Sequence, residues 1–280
     1  MPEGHVTHRV AGQINHHFAG RPVRSTSPQG RFADDAAEFD GRVLREAQAF
    51  GKHLFVAAEE VERQVHIHLG LLGKFAFTGD LDEPERGAIR WRLQCEQPPQ
   101  TMDLRGPNVC TLRTPEEVEA ITGQLGPDPL RVDADPEVAY ARIHKTTTPI
   151  AVLCMDQKVF AGVGNIYRAE ALFRHRIDPF MPGKFLRRAE FDGIWSDFTE
   201  LMPLGVRDGR IDTVYPEHTP EATGRAPRVD RHGGEVYVYR RAGQPCLVGG
   251  TAVSLKEIGG RNLFWCRTCQ PRSRRRTVRD

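Results

Sequence analysis

The chain has 280 residues, which is long enough for two domains, each with its own hydrophobic core. Charged residues make up 27% of the chain, and no apolar run approaches the roughly 20 residues of a membrane span, so the composition excludes a protein built from membrane-spanning helices. The net charge is only +2, so any polyanion must be met by a local basic patch and not by a global field.

The first residues, Met1-Pro2-Glu3, can supply a reactive amine and a carboxylate. Removal of Met1 leaves Pro2 with a free secondary amine. Attack of such an amine on a sugar aldehyde carbon gives an iminium ion, an electron sink that breaks neighbouring carbon–oxygen bonds. Glu3 adds a carboxylate where an acid/base partner is needed. The alternative is an ordinary first helical turn, in which proline and an acidic residue are both common.

The N-terminal half of the chain has the pattern of one helix followed by short strands. Apolar residues recur every fourth position from Val6 to Phe18, which predicts an amphipathic helix over residues 2–19. From Val23 to Leu112, short β-type runs are separated by Gly, Asp and Pro, as in an antiparallel sandwich. The clearest of these runs are residues 53–57, 64–69, 74–77 and 88–93.

The C-terminal half is predominantly helical. A helix start with a capping pattern is predicted at Thr114, residues 126–130 form a proline-containing linker, and residues 135–207 are helical in character. The predicted fold class is therefore α+β, with an N-terminal domain over residues 1–125 and a second domain over residues 135–280.

The segment from Asp156 to Phe173 contains a glycine-punctuated turn. Gly162 and Gly164 precede a predicted helix over residues 166–173, and backbone N–H groups at a helix start form a site for a phosphate. Asn165 supplies a side-chain amide donor at the same edge. The alternative is an ordinary helical hairpin with a glycine cap.

Six cysteines make a poor disulfide framework, and with no signal peptide we expect a reducing, cytoplasmic setting. Two zinc-ribbon knuckles would require a cysteine at position 249, where the chain has Gly249. Three thiolates can still hold Zn²⁺ if a histidine or a carboxylate supplies the fourth bond. The candidate thiolates are Cys246, Cys266 and Cys269, and the nearest upstream histidines are His218 and His232.

A β-hairpin is predicted between the cysteines, over residues 255–264. Its turn is Gly259-Gly260-Arg261. An arginine at a rigid hairpin tip can insert between phosphates, and the alternative is a solvent-exposed turn arginine.

Together these motifs resemble the formamidopyrimidine-DNA glycosylase/endonuclease VIII family of base-excision repair enzymes. The resemblance covers nearly the whole chain and implies a helix–two-turn–helix domain with a zinc-finger-like hairpin at about residues 236–270. The Pro-Glu-Gly start is closer to the endonuclease VIII branch, which shifts the expected substrates towards oxidised pyrimidines. The matching segments are Pro2-Glu3, Gly51-Lys52, residues 68–74, residues 156–172 and residues 239–270.

The resemblance implies a role for each of five residues. Pro2 would be the nucleophile at the anomeric carbon of the damaged nucleotide, and Glu3 the general acid/base on the sugar ring oxygen. Lys52 would lie beside the scissile phosphates and assist elimination. Asn165 and Arg261 would hold the phosphates that flank the lesion. The iminium would then release the 3′ phosphate and afterwards the 5′ phosphate, by β and δ elimination.

Extrusion of the damaged nucleotide leaves a gap in the duplex that a side chain must fill. Leu71 matches the family's void-filling apolar residue, although a core leucine in a strand is an equal alternative. Arg105 matches the arginine that replaces the flipped base. Pro107 stands where the oxidised-purine branch has an aromatic wedge.

Two smaller features remain open. His66 and His68 alternate with apolar residues, so they share one face of a strand as a metal pair or, more ordinarily, as two hydrogen-bonded sheet histidines. The basic tail at residues 274–276 is either a solvated end or an additional, salt-sensitive DNA contact.

The resulting hypothesis is a monomeric, bifunctional DNA glycosylase with abasic-site lyase activity. Its partner is double-stranded DNA containing oxidised bases or abasic sites, and its cofactor is a structural zinc ion. The alternatives are an oxidised-purine-specific glycosylase, a non-catalytic protein that binds lesions or abasic sites, and a regulatory zinc-ribbon module.

Overall fold

The structure of the chain is a computed structural model that describes residues 2–230 and 234–273. The first helix, α1, spans Gly4–Phe18. Val10, Ile14 and Phe18 are buried in the core and Val6 packs against it, so the fourfold apolar spacing predicted the buried face correctly.

Nine short elements follow α1 and form an antiparallel sandwich. Two four-stranded sheets, with strand orders β1-β6-β7-β5 and β2-β3-β4-β8, share one apolar core with the two helices. This confirms the predicted sandwich. The elements are β1 (Arg24–Thr26), α2 (Ala33–Phe39), β2 (Leu44–Phe50), β3 (His53–Ala58), β4 (Gln64–His68), β5 (Lys74–Thr78), β6 (Ile89–Glu96), β7 (Pro99–Arg105) and β8 (Val109–Arg113).

Helix α1 is fastened to the sandwich by a two-sided hydrogen bond. The Asn15 amide donates to the Ala47 carbonyl at 2.9 Å, and the Ala47 N–H donates to the Asn15 Oδ1 at 2.6 Å. Because Ala47 lies in β2, the strand that leads into Lys52, this pair fixes the start of the chain relative to that strand.

Helices dominate the remainder of the chain. The predicted cap is confirmed, since Thr114 and Glu117 form a complete capping box at the first of these helices. The elements are α3 (Pro115–Thr122), α4 (Pro136–His144), α5 (Ile150–Leu153), α6 (Asn165–Arg174), α7 (Arg188–Asp208), α8 (Pro220–Thr223), β9 (Ser254–Ile258) and β10 (Arg261–Trp265), with 3₁₀ turns at Gly183–Phe185 and Pro216–His218. The α+β class, with a helical region and a terminal hairpin, is confirmed.

Residues 1–124 and 125–280 form two compact units. The predicted domain limits, 1–125 and 135–280, stay an expectation about which segments fold independently. Among the described residues, no helix has the length and apolar character needed to cross a membrane. The predicted basic tail at residues 274–276 and His232 lie outside the described residues.

Candidate active site

The start of the chain places Pro2 and Glu3 immediately before α1. Glu3 has extended backbone at the N-cap of α1 and is only 1% exposed, whereas Pro2 is partly exposed. The positive end of a helix dipole favours a carboxylate at this position. Glu3 is therefore buried next to a partly exposed proline, and the catalytic roles of both residues stay predictions.

His5, which the sequence reasoning did not assign, belongs to the same first turn. It is 5% exposed, and burial, with smaller effects of Arg9 and the N-terminus, lowers its pKa to about 4. The side chain is thus neutral at physiological pH. Its position two residues after Glu3 was the only sequence signal for it.

Lys52 lies at the tip of the hairpin between β2 and β3. Phe50 pairs with His53, so only two residues make the turn, and Gly51 adopts the left-handed φ of 58° that such a turn requires. Lys52 is partly exposed at this tip. The glycine before it is a conformational requirement of the tight turn.

Three histidines lie on one face of β3 and β4, beyond Lys52. His66 and His68 share this face, as predicted, and His66 forms a hydrogen bond with His53, at 2.9 Å between ring nitrogens. Among the described residues, the ligand atoms of these histidines do not converge as a three-ligand metal site. A two-histidine metal site at His66 and His68 therefore stays a prediction.

The connection between β4 and β5 exposes two leucines. Leu71 is 62% exposed and Leu72 is 83% exposed, so the core-leucine alternative for Leu71 is wrong. Gly73 closes the turn so tightly that a β-carbon on it would lie 2.4 Å from the Leu69 carbonyl oxygen. A tight turn thus presents an apolar pair to the solvent, and the sequence reasoning missed Leu72.

Arg105 at the end of β7 is held by the protein. Its Nη2 donates to the Asp103 carboxylate at 2.8 Å and its Nε donates to the Arg86 carbonyl at 3.0 Å. Asp103 also binds buried Arg92 through two hydrogen bonds, which raise the pKa of that guanidinium. Pro107, two residues after Arg105, is buried, so the position predicted to lack the aromatic wedge of the oxidised-purine branch offers no exposed side chain.

In the second unit, α6 begins at Asn165 and contacts the terminal hairpin. The Asn165 amide donates to the Asn262 carbonyl at 3.0 Å, and buried Arg168 donates to the same carbonyl at 3.0 Å and also to the Asn165 Oδ1. One amide hydrogen of Asn165 is therefore used inside the protein. The contact brings Arg261, the residue before Asn262, to the start of α6.

Arg261 is exposed and is the first residue of β10, not a turn residue as predicted. The turn consists of Gly259 and Gly260, with φ values of 58° and 69°. Two consecutive positive φ values define a type I′ hairpin, and glycine adopts them without strain.

Glu170 of α6 is a structural carboxylate that the sequence reasoning missed. It is fully buried and accepts hydrogen bonds from three consecutive backbone N–H groups and from the Thr213 hydroxyl at 2.6 Å. The backbone donors, at 2.6–2.9 Å, are those of Tyr237, Val238 and Tyr239. These bonds fasten the segment that leads into the cysteine cluster to α6.

The three predicted thiol ligands come together. The sulfur atoms of Cys246, Cys266 and Cys269 all lie within 4.8 Å of one another, and those of Cys246 and Cys269 are 3.8 Å apart. Such separations suit thiolates bound to one tetrahedral zinc ion, so the residues fit this metal. Burial opposes ionisation of Cys266, but backbone N–H groups of Cys269 and Thr268 outweigh it and lower its pKa.

Gly249, at the position where a zinc ribbon would have its fourth cysteine, lies against this cluster. Its N–H donates to the Cys246 sulfur at 3.4 Å, and a β-carbon on it would lie 2.8 Å from the Cys269 sulfur. His218 instead bonds the Tyr237 hydroxyl at 2.8 Å and is not part of the cluster. Among the described residues, the cluster consists of three cysteines.

Comparison with known proteins gives consistent matches over nearly the whole chain. Residues 1–109 match the formamidopyrimidine-DNA glycosylase N-terminal domain, and residues 125–215 match the formamidopyrimidine-DNA glycosylase H2TH domain. The chain is 48% identical over 277 residues to Endonuclease 8 1 of Mycobacterium tuberculosis, covering 96% of this chain and 100% of that protein. It is 29% identical to Endonuclease 8 2 of Mycobacterium bovis, again over 96% and 100% of the two chains.

Solved structures share the fold. The MutM (Fpg) protein from Thermus thermophilus aligns with a TM-score of 0.74 at 26% identity, covering 97% of this chain and 100% of that one. Lactococcus lactis Fpg in complex with DNA containing an abasic site aligns with a TM-score of 0.76 at 19% identity, covering 96% and 100%.

Proposed function

Because the chain belongs to the formamidopyrimidine-DNA glycosylase/endonuclease VIII family, we propose that it is a bifunctional DNA glycosylase and abasic-site lyase of base-excision repair. The observation that carries the proposal is the pairing of an accessible Pro2 with a buried Glu3 at the start of α1. A terminal secondary amine beside a sequestered carboxylate has the two functions that Schiff-base chemistry on a sugar needs.

The reaction begins when the Pro2 amine forms a bond to the anomeric carbon and the damaged base leaves with the proton that the amine loses; protonation of the sugar ring oxygen by Glu3 assists this departure. The ring then opens, and the nitrogen lone pair completes a cationic iminium. The iminium acidifies the hydrogen on the adjacent sugar carbon. Loss of that proton expels the 3′ phosphate, a second elimination expels the 5′ phosphate, and hydrolysis of the remaining Schiff base frees Pro2.

Binding of the DNA backbone uses cations and amides at element termini. Lys52 at its hairpin tip contacts the scissile phosphates, while Asn165 and Arg261 hold flanking phosphates. The support for the latter pair is the contact between the start of α6 and the hairpin, which brings a helix N-terminus and an exposed arginine together.

Leu71 fills the gap left by the extruded nucleotide, and Leu72 packs beside it. Their exposure supports this role, because solvent-exposed leucines gain hydrophobic stabilisation only when another surface covers them. Arg105 replaces the flipped base opposite its partner, and Asp103 orients the guanidinium.

A structural zinc ion bound by Cys246, Cys266 and Cys269 would cross-link the two ends of the hairpin. When bound, it supplies folding free energy to this small element and takes no part in the chemistry. The hairpin in turn positions Arg261.

Oxidised pyrimidines are the proposed substrates. The Pro-Glu-Gly start and the 48% identity to an endonuclease 8 support this choice. The buried Pro107 argues against the wedge of an oxidised-purine specialist. We further propose that the protein acts as a cytoplasmic monomer on double-stranded DNA.

Borohydride trapping on a labelled duplex with one abasic site tests the proposal. The wild type is expected to give a covalent protein–DNA band, and Pro2→Ala is expected to give none. Tight binding without a band in protein lacking Met1 would instead establish a non-catalytic lesion-binding protein.

A further inference from the structure

The face of β3 and β4 that points away from the sandwich core carries a histidine pair that the proposed chemistry does not use. His53 follows Lys52 directly, and His66 lies on the neighbouring strand. The opposite face of the same strands carries the core residues Leu54, Val56, Val65 and Ile67. The pair is therefore separate from the sandwich core and adjacent to the proposed phosphate-binding lysine.

The two rings are joined by an N–H···N hydrogen bond. His53 Nδ1 and His66 Nε2 are 2.9 Å apart, the ring planes differ by 21° and the centroids are 5.1 Å apart, so the rings meet edge to edge. Phe55 lies against the His66 ring at 4.8 Å between centroids, with nearly parallel planes. His66 is thus held in one orientation.

The surroundings of His66 decide which ring donates. Its Nδ1 is buried and has no hydrogen-bond partner, and the residue is only 4% exposed. If His53 donated, His66 would carry its hydrogen on Nδ1, leaving a buried N–H without an acceptor. If His66 donates, Nδ1 keeps only a lone pair. Orphaned buried N–H groups are rarer than under-satisfied acceptors, so His66 donates to His53.

The same argument keeps both rings neutral. Protonation of either ring would also place a hydrogen on the buried His66 Nδ1. Burial and the neighbouring positive charges lower the pKa of His53 to about 4 and that of His66 to about 3. The hydrogen of neutral His53 then resides on Nε2, and the residue as a whole is partly exposed.

We propose that His53 is a DNA-binding residue whose Nε2–H, fixed by His66, donates an uncharged hydrogen bond to a backbone phosphate next to Lys52. This inference rests on the proposed function, since it takes Lys52 to lie against the DNA backbone. His66 is a positioning residue that acts through His53. A donor held in one tautomer by a buried partner contributes a directed bond without a change in charge.

The tautomer is testable without DNA. Long-range ¹H–¹⁵N correlation spectra of histidine-labelled protein are expected to show neutral His53 with hydrogen on Nε2 and nitrogen Nδ1 as acceptor throughout the neutral pH range. In His66→Phe the signature is expected to change to a mixture of tautomers. A His53 hydrogen on Nδ1 in the wild type would overturn the inference.

The phosphate contact is tested with a duplex containing a non-cleavable abasic-site analogue. We expect His53→Phe to weaken binding by about tenfold and His66→Phe by somewhat less, with an unchanged slope of log Kd against log salt, because no charge is lost. Lys52→Met, in contrast, is expected to make that slope shallower by about one, because one cation is lost from the interface. His53→Gln retains a neutral donor and should recover part of the affinity, and His16→Phe on the exposed face of α1 is the control.

The outcomes separate this inference from the proposed function. Wild-type affinity and salt slope in His53→Phe, together with normal borohydride trapping, would overturn the histidine contact alone. Failure of the wild type to bind abasic DNA or to be trapped would overturn both. Thermal melting of each variant identifies any loss of affinity that comes from unfolding.

Discussion

The Asn165 side chain donates a 3.0 Å hydrogen bond to the backbone carbonyl of Asn262, a residue 97 positions later in the chain. Arg168 donates to the same oxygen, so two side chains from the first turn of α6 hold the hairpin next to Arg261. The proposed binding of the flanking phosphates therefore depends on a contact within the chain, between α6 and the hairpin, as well as on contacts with DNA.

Asn165→Asp is expected to weaken binding of abasic duplex more than Arg261→Met does. The substitution removes the amide donor to Asn262 and places a carboxylate beside both the flanking phosphate and the Asn262 carbonyl. We expect a loss of at least about tenfold in Kd, since a charge-assisted contact is replaced by repulsion. Fluorescence anisotropy measures the affinity, and equal affinities for Asn165→Asp and the wild type would remove Asn165 from the interface.

Glu3→Gln is expected to separate the two proposed activities. The buried carboxylate assists departure of the base by protonating the ring oxygen, and general acid catalysis contributes about 10²–10⁴ in rate. Excision of an oxidised base should fall by that factor. Trapping on a preformed abasic site should persist, because the aldehyde is already available to Pro2.

Single-turnover excision and borohydride trapping, run side by side with Pro2→Ala, provide the measurement. Loss of both activities in Pro2→Ala with selective loss of excision in Glu3→Gln is the expected pattern. Unchanged excision in Glu3→Gln would assign the acid role to another group.

The exposed leucines give a prediction in which stability and activity diverge. Leu71→Ala and Leu72→Ala are each expected to change the free energy of unfolding by less than about 0.5 kcal/mol, because the side chains are mainly in solvent. Excision from duplex DNA should fall about tenfold or more in the double variant. Activity on single-stranded DNA should stay near wild type, since no stacked gap needs filling there.

Val138→Ala is a matched control for the leucine variants. Val138 is 40% exposed on α4 and has no role in the proposed site. If Val138→Ala lowered duplex activity as much as the leucine variants do, the effect would be nonspecific.

The sequence predicted features that depend on neighbouring residues and missed those that depend on distant ones. Helix α1 and the capping box at Thr114 follow from local spacing and were correct. Leu71 was located by its motif, but its exposure could not be decided, because an apolar residue between glycines fits both a strand and a turn.

Glu170 is a residue whose structural role could not be predicted, because its partners are distant in the sequence. Its backbone donors lie 67 to 69 residues later, so nothing in the helix sequence around it indicated that this glutamate is buried. The His53–His66 bond depends likewise on strand register, which alternation of apolar residues does not define between two particular strands. Such long-range partners become visible only when the chain is folded.

The cysteine cluster predicts that the protein binds zinc and that a fourth cysteine at position 249 changes how tightly the zinc is held. We expect about one zinc per chain in the wild type, and loss of zinc in Cys266→Ser because two thiolates remain. Gly249→Cys should slow removal of zinc by a chelator, since a fourth thiolate is added next to the three cysteines. The loop must shift to accept it, because the new β-carbon would start 2.8 Å from the Cys269 sulfur.

Zinc content by atomic absorption and the rate of release to a chromogenic chelator measure these effects. Release from Gly249→Cys as fast as from the wild type would mean that the fourth ligand is already supplied by the protein. Zinc-free wild type that still binds DNA would make the cluster a metal-free contact of three thiols.

The buried His5 predicts sensitivity of the fold to mild acid. Burial, followed by Arg9 and the N-terminus, lowers its pKa from 6.5 to about 4, so the unfolded chain binds a proton more readily than the folded one. The stability that the folded state gains by keeping His5 neutral is therefore fully present above pH 6.5 and is lost as pH falls towards 4. For such a shift the loss is about 2 kcal/mol between pH 7 and pH 5.

Denaturant unfolding at these two pH values measures the effect. The free energy of unfolding of His5→Leu should decrease less than that of the wild type, whereas His16→Leu, at an exposed position of the same helix, should match the wild type. Equal decreases in the wild type and His5→Leu would assign the acid sensitivity to other groups.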